Sequence, residues 1–121
     1  MTTQEIANQL VALCQQGKFM EAIQSLYAED IVSVEAMAMP GASREASGLP
    51  AIIGKANWWQ ENHEVHSASV EGPMVAGSHF CVRFTLDATF KPTGQRMPMD
   101  ELGIYQVKDG KIVREEFFYG M

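Results

Sequence analysis

The sequence predicts an α+β fold, with helices in the first half and an antiparallel sheet in the second. Apolar residues recur at helical spacing near the N-terminus, whereas the segment from His66 onward alternates almost without interruption in the manner of strands. Asp109-Gly110 lies between two runs of β-branched, aromatic and other apolar residues, which is the strongest short-range signal for a hairpin with a type I′ turn. These observations together place two long strands at the C-terminal end.

Two amphipathic helices are expected first. Thr2 and Glu5 have the spacing of a capping box, and apolar residues follow at helical intervals to about Gln16. A second helix begins at Phe19 after a tight connection and ends near residues 28–30. The pair is predicted to form a helical hairpin.

The middle of the chain is predicted to hold a short strand, a long loop and a third helix. Residues 31–37 alternate as a strand does, whereas residues 38–50 have no period and contain two prolines and two glycines. Loops of about a dozen residues often act as lids or binding loops, although this one could also be a plain connector. The third helix is expected from about Gly54-Lys55 to His63-Glu64.

The second half reads as a four-strand meander. Short turns separate the strands, and one of them alternates so regularly that one buried and one wetter face are expected. Its predicted buried face carries Phe80, Val82, Phe84, Leu86, Ala88 and Phe90. The four strands are expected at residues 66–75, 78–91, 95–108 and 111–119.

A two-residue turn also fixes which side chains of the last hairpin share a face. Regular continuation would pair Ile104 with Glu115 and Asp100 with Tyr119, although a one-residue bulge would turn Glu101 inward in place of Asp100. The resulting face is mostly apolar and holds two carboxylates, which is typical of the lining of a ligand pocket. It would carry Asp100, Leu102, Ile104, Gln106, Val113, Glu115, Phe117 and Tyr119.

Composition limits the possible partners. The 121 residues are 46% hydrophobic, which suits one domain over residues 1–121. Fifteen acidic and nine basic residues give a net charge of -6, so neither nucleic acid nor an anionic membrane is expected to bind. No signal peptide or spanning segment is evident, and a cytoplasmic location is expected. Cys14 and Cys81 are too few for a disulfide framework and are expected to be reduced.

The order of these elements resembles the nuclear-transport-factor-two-like superfamily, and within it the SnoaL-like domains. The resemblance covers about residues 4–119 and rests on Gly17-Lys-Phe, Leu26-Tyr-Ala-Glu-Asp30, the Gly54-Lys55 helix start and Val107-Lys-Asp-Gly-Lys-Ile-Val113. It implies a cone-shaped α+β fold, in which a curved antiparallel sheet of four main strands plus a short strand holds three helices on its concave side. It further implies a deep apolar cavity and a homodimer packed through the sheets.

The resemblance also suggests site residues. The ketosteroid isomerase-like branch places its base seven residues after the alanine of a Phe-Ala-Asp-Asp motif, and Ala28 plus seven gives Glu35. The position of that branch's tyrosine donor is Leu10 here, which favours a non-catalytic ligand-binding or dimerisation module of the same fold. The scaffold hosts isomerases, cyclases, dehydratases, epoxide hydrolases and binding domains, so function has to come from the site.

Carboxylates in an apolar cavity support acid/base chemistry without a cofactor. Poor solvation and mutual repulsion raise the pKa of such groups, so that one can act as a base and another as a proton donor. We expect an isomerase, cyclase or lyase acting on a small apolar carbonyl compound. Glu35 is the expected base, with donors or polarising groups among Asp100, Glu115, Tyr119 and His63.

Structural roles are the alternatives for the same residues. Glu35 could be a rim carboxylate satisfied by backbone amides of the 38–50 loop, and Glu115 could pair across the sheet with Arg83 or Arg96.

The histidines do not suggest a metal site. His63 and His66 straddle a helix end and lack the spacing that places two imidazoles on one metal, so no metal ligands are expected. The expected ligand is a small apolar molecule. The residues expected to line its pocket are Met37, Trp59, Phe84, Leu86, Leu102, Ile104 and Phe117.

Overall fold

A computed structural model describes residues 1–38, 41 and 43–120, and within them the chain forms three helices and six strands. The helices are α1 (Thr3–Gln15), α2 (Phe19–Leu26) and α3 (Leu49–Asn62). The strands are β1 (Tyr27–Val34), β2 (Glu45–Ser47), β3 (His63–Ala76), β4 (His79–Phe90), β5 (Gln95–Lys108) and β6 (Lys111–Phe118).

One sheet contains all six strands in the order β2-β1-β6-β5-β4-β3. β1 runs parallel to β6, and every other neighbouring pair is antiparallel. The sheet is curved and unclosed, and its inner face packs against the helices. The predicted cone-shaped α+β class is therefore confirmed, with one strand more than expected.

The first helix begins as the sequence predicts. Thr2 Oγ accepts a hydrogen bond from the Glu5 backbone N–H at 3.1 Å, and the Glu5 carboxylate accepts one from the Thr2 N–H at 2.9 Å. This reciprocal capping box satisfies two N–H groups that the helix itself cannot pair. Ile6 and Leu10 are buried on the face of α1 that joins the core. Within the described residues no helix has both the length and the apolar character needed to cross a membrane.

Two helix boundaries differ from the prediction. α2 ends at Leu26, and Tyr27 already begins β1, because pairing with β6 outweighs the local helical pattern. α3 begins at Leu49, well before the predicted start. Gly48 precedes it with φ +90°, and Pro50 stands in its first turn, where a missing backbone N–H costs no hydrogen bond.

The predicted 38–50 loop is only partly a loop. Residues 45–47 form the edge strand β2, which pairs with the end of β1. The connection is closed by two hydrogen bonds, from Glu35 N–H to the Arg44 carbonyl at 2.8 Å and from Arg44 Nε to the Glu35 carbonyl at 3.0 Å. Residues 39, 40 and 42 of the predicted loop lie outside the described residues.

The final hairpin has the predicted turn. Asp109 and Gly110 have φ of +53° and +75°, as a type I′ turn requires. Lys108 pairs with Lys111, and Val107 pairs with Ile112.

Beyond these pairs the regular register is wrong, and the alternative with a one-residue bulge, which turns Glu101 inward, is confirmed. A bulge separates the pairs Val107–Ile112 and Gln106–Arg114, so β6 contributes one extra residue, Val113. Tyr105 consequently lies opposite Glu115, in the place where regular pairing would put Ile104.

The bulge decides which side chains face the helices. β5 places Glu101, Gly103 and Tyr105 on the inner face, next to Glu115 and Phe117 of β6. The predicted inward direction of Asp100, Leu102 and Ile104 is wrong, because alternation along β5 sends these three side chains to the outer face.

The core lies between the inner face and the helices. Phe80, Val82 and Phe84 of β4 are buried there, as the alternation predicts. Tyr105 stacks on Phe80 with ring centroids 4.9 Å apart and is itself 2% exposed. Both cysteines are free, and burial raises the pKa of the Cys14 thiol to about 12.

A prediction concerns Gly103, over which the Tyr105 ring lies. A Cβ at position 103 would lie 2.9 Å from Tyr105 Cε2, and the stacked ring has little room to move. We expect Gly103→Ala to lower the free energy of unfolding by about 1–3 kcal/mol in urea denaturation. Gly54→Ala is the matched control, because an added Cβ meets nothing within 4 Å on α3 and alanine favours a helix by about 1 kcal/mol. Equal stability of Gly103→Ala and wild type would contradict this packing.

Candidate active site

A buried carboxyl group lies at the centre of the inner face. Glu115 is 3% exposed, and two hydroxyl groups of β1 donate hydrogen bonds to it, from Tyr27 and from Ser33, the latter at 2.9 Å. Ser33 is the register partner of Glu115 in the parallel β1–β6 pair, which places the two side chains next to each other.

Burial controls the protonation of this group. Desolvation raises the pKa of Glu115, while the hydrogen bonds from Tyr27 and Ser33 partly oppose that rise. Desolvation, followed by the neighbouring Glu115 charge, raises the pKa of the Tyr27 and Tyr105 phenols well above their ordinary value. No buried side-chain nitrogen or oxygen in the described part of the chain lacks a hydrogen-bond partner.

Lys55 of α3 connects this buried centre to the mouth of the cone. Its Nζ donates to Ser33 Oγ at 2.9 Å and to Glu35 Oε1 at 2.6 Å. It also lies 5.8 Å from the centroid of the Phe117 ring. The helix directs Lys55 inward because it stands three residues after the buried Ile52, on the same helical stripe.

Glu35 is shared by two donors. Lys55 occupies one carboxylate oxygen, and the Tyr119 hydroxyl donates to the other at 3.2 Å. Desolvation, followed by the charge of Glu35, raises the pKa of Tyr119. The side chains of Lys55 and Glu35 are 34% and 29% exposed, so a continuous chain of polar groups leads from the buried Glu115 to solvent.

Glu101 is a third inner carboxyl, placed there by alternation along β5. Desolvation, followed by the charge of Glu35, raises its pKa to about 7, and the nearby Lys55 only partly opposes this. Within residues 1–38, 41 and 43–120, no hydrogen bond to the Glu101 carboxyl is formed. Glu101 therefore changes its charge near neutral pH.

Asp100 lies apart from this cluster on the outer face. Arg83 holds it in a bidentate ion pair at 2.9 and 2.8 Å, and these hydrogen bonds lower the pKa of Asp100. Arg96 pairs in the same way with Asp87, at 2.9 and 2.7 Å. The alternative in which Glu115 pairs with Arg83 or Arg96 is therefore wrong.

His63 is placed among aromatic rings. It stacks on Trp59 at 4.2 Å, and its centroid is 5.2 Å from that of Phe90. Its Nδ1 lies 2.8 Å from the Trp59 carbonyl, which makes Nδ1 the protonated nitrogen of the neutral ring. His66 instead contacts Thr89 at 2.7 Å. In the part of the chain that the structure describes, no three His, Cys, Asp or Glu side chains converge as a metal site.

The predicted lining residues divide between several environments. Phe84 is buried in the core, while Trp59, Leu86 and Phe117 are partly buried and Met37 is largely exposed. Phe117 meets Tyr105 edge-on and supports Lys55.

An open depression lies where β6 ends, and most of its lining belongs to the outer face. It has a volume of about 500 Å³. Its lining includes Glu101 and Tyr119, and the remaining lining residues are Arg83, Asp100, Leu102, Phe118 and Gly120.

The sequence does not predict three residues of the cluster, which are Tyr27, Ser33 and Lys55. Tyr27 falls within the predicted second helix, and Ser33 is a small polar residue outside any motif. The signal for Lys55 was available, because it shares a stripe with Trp59 one turn later in the helix. The signal for Ser33 was its position two residues before Glu35, which places both side chains on one face of a strand.

Comparison with known proteins shows to which family the chain is similar. The family described as the SnoaL-like domain matches residues 1–119. A crystal structure from Mesorhizobium loti, provisionally described as a SnoaL-like polyketide cyclase, is 50% identical in sequence. Its TM-score is 0.93, and the match covers 98% of this chain and 100% of that one. A search of curated proteins found no significant match.

More distant structures share the fold alone. An NTF2-like protein from Burkholderia thailandensis is 19% identical with a TM-score of 0.83, over 99% of this chain and 92% of that one. A protein from Bacillus subtilis, provisionally described as an isomerase, is 20% identical with a TM-score of 0.77, over 99% and 90%. From the match over residues 1–119 and the 50% identical structure, the chain belongs to the SnoaL-like domain family.

Proposed function

We propose that this protein is a cofactor-independent enzyme that moves a proton next to the carbonyl group of a small apolar compound, with Glu101 as its general acid/base. The supporting observation is the position of Glu101, an inner carboxyl with a pKa of about 7 beside the Lys55–Glu35 ion pair. Such a group exchanges protons most effectively at neutral pH. The 50% identical structure described as a SnoaL-like polyketide cyclase supports the same class of reaction.

Glu101 suits the role of base better than Glu35. Both oxygens of Glu35 already accept hydrogen bonds, from Lys55 at 2.6 Å and Tyr119 at 3.2 Å. Taking up a proton would require Glu35 to give up its ion pair. We therefore assign Glu35 the task of holding Lys55 and Tyr119 in place.

The reaction follows from the transfer of one proton. Glu101 removes a proton from the carbon next to the carbonyl, which leaves an enolate and a neutral Glu101. Where a carbon–carbon double bond is conjugated with the enolate, returning the proton to the far carbon completes an isomerisation. Attack of the enolate carbon on a second carbonyl closes a ring, and neutral Glu101 gives its proton to the alkoxide that forms. In an elimination, the leaving group departs from the next carbon and takes the proton from Glu101. The apolar Phe117 ring beside Lys55 suits a substrate with little charge elsewhere.

A non-catalytic binding module of the same fold is the second candidate. One observation favours it, namely that the hydrogen bonds of Glu115 are satisfied by Tyr27 and Ser33 without any ligand. The exchange experiment below separates the two candidates.

We also propose that the protein is a homodimer through the outer face of its sheet. The paired residues Leu102 and Phe118 are 39% and 48% exposed there, and Met74 is 74% exposed. Light scattering at micromolar concentration is expected to give twice the chain mass, and Phe118→Asp is expected to give the mass of one chain. A monomeric wild type would refute the dimer.

Glu101 is expected to make stability depend on pH. Its pKa is about 7 in the folded chain, against a value of 4.5 for an ordinary glutamate. The folded state therefore binds the proton more tightly, and stability is lost as pH rises from about 4.5 towards 7. Between about pH 5 and pH 8, we expect wild type to lose on the order of 1–3 kcal/mol more than Glu101→Gln in urea denaturation. Parallel pH profiles would contradict the buried position of Glu101.

Removal of the base is expected to abolish proton exchange. In deuterated water, NMR can follow deuterium incorporation next to the carbonyl group in a panel of cyclic ketones and keto esters. This experiment does not require the natural substrate to be known. We expect wild type to catalyse exchange in at least one compound. Glu101→Gln should reduce the rate by about a hundredfold or more, because a positioned base contributes that much.

Two further variants sharpen this result. Glu35→Gln should reduce exchange by about tenfold, since it disturbs Lys55 but leaves the base in place. Glu116→Gln is the matched control, because Glu116 pairs with Arg114 on the outer face. A larger loss of exchange rate in Glu35→Gln than in Glu101→Gln would show that Glu35, and not Glu101, is the base. Binding of a panel compound without exchange in wild type would favour the binding module.

A further inference from the structure

We propose that Lys55 is a further catalytic residue, which binds the substrate oxygen as it gains negative charge, and that the ligands of this site are molecules with an enolate or phenolate oxygen. This inference rests on the proposed function but is tested by equilibrium binding.

The first argument is the number of donors on Lys55. An ammonium group has three N–H donors, and two of them are directed at Ser33 Oγ and Glu35 Oε1. Within the described residues, the third has no acceptor in hydrogen-bond range. A bound oxygen can take this position without breaking either existing contact.

The second argument is that Lys55 is held in a fixed orientation. Ser33 is fully buried, and its hydroxyl hydrogen is committed to Glu115, so only its lone pairs face Lys55. The buried Ser33–Glu115 pair therefore fixes the ammonium through the hydrogen bond to Ser33, and Glu35 fixes it through the ion pair. A donor fixed before the reaction stabilises developing charge without the cost of reorganisation.

The third argument is electrostatic. Glu35 already balances the charge of Lys55 in their ion pair, and Glu101 lies close enough to act on both. When Glu101 accepts the proton from carbon, its negative charge disappears as the enolate charge forms. The total charge around Lys55 is then unchanged, and the ammonium interacts with the enolate instead of the Glu101 carboxylate.

Access supports the same assignment. The Lys55 side chain is 34% exposed and lies over the Phe117 ring, with Trp59 one turn further along α3. A flat molecule can therefore rest on apolar side chains with its oxygen directed at Nζ. Glu115 is out of reach of such a ligand, which makes Ser33 and Glu115 positioning residues for Lys55.

The test uses 4-nitrophenol, whose absorption spectrum distinguishes phenolate from phenol. Glu101→Gln serves as the background, because glutamine imitates the neutral Glu101 that faces an enolate. We expect this variant to bind the phenolate more tightly than wild type does. Adding Lys55→Met should weaken phenolate binding by about tenfold to a hundredfold, the range expected for a hydrogen bond to a charged group. Binding of the neutral phenol should change little.

Matched variants protect the test against trivial explanations. Arg96→Met in the same background removes one positive charge from the Asp87 pair on the outer face and should leave phenolate affinity within about twofold, since exposed charges at a distance are screened. Lys55→Arg keeps the charge and should retain most of the affinity. Ser33→Ala keeps the ammonium but removes the hydroxyl that holds it, and should give an intermediate loss of phenolate affinity. This result can be used even if Lys55→Met fails to fold.

Several outcomes would overturn the proposal. These are equal phenolate affinity with and without the Lys55 ammonium, an equal loss in Arg96→Met, and no phenolate binding at millimolar concentration. Failure of the exchange experiment together with Lys55-dependent phenolate binding would instead reject the proposed reaction and leave the anion-binding role of Lys55 intact.

Discussion

A carboxyl group in an apolar core needs partners that supply hydrogen bonds, and this requirement organises the inner face of the sheet. Glu115 lies between β1 and β5 and is buried, so water cannot form hydrogen bonds to it. A buried polar group without hydrogen bonds costs several kcal/mol. Tyr27 and Ser33 meet the requirement from β1. The Ser33 hydroxyl in turn accepts a hydrogen bond from Lys55, which also forms the ion pair with Glu35.

The cluster explains why one end of the cone differs from the other. Close packing of Tyr105 on Phe80 fills the core next to α1, and Gly103 leaves room for that ring. Towards the end of β6 the partners become polar and partly exposed, and the side chains of Lys55 and Glu35 reach solvent. Apolar packing thus supports a polar site at its edge, where charge can change without unfolding the core.

The two faces of β5 carry carboxyl groups with opposite properties. Asp100 is held ionised by a bidentate arginine on the exposed face, whereas its neighbour Glu101 is desolvated on the inner face. Adjacent residues of one strand therefore differ in chemistry because a strand alternates between two environments. The same alternation places the exposed Leu102 and Phe118 on the face opposite Glu101 and Glu115.

Local sequence signals determined much of the fold. The capping box at Thr2, the Asp109-Gly110 turn and the alternation of β4 depend only on neighbouring residues, and each is found as predicted. The family resemblance likewise followed from the order of elements. Tertiary structure decided the register beyond Val113, because the bulge depends on how the side chains of β5 and β6 pack in the complete sheet, and the local residues leave both registers open. Parallel pairing of β1 with β6, which joins Ser33 to Glu115 across more than eighty residues, is equally non-local.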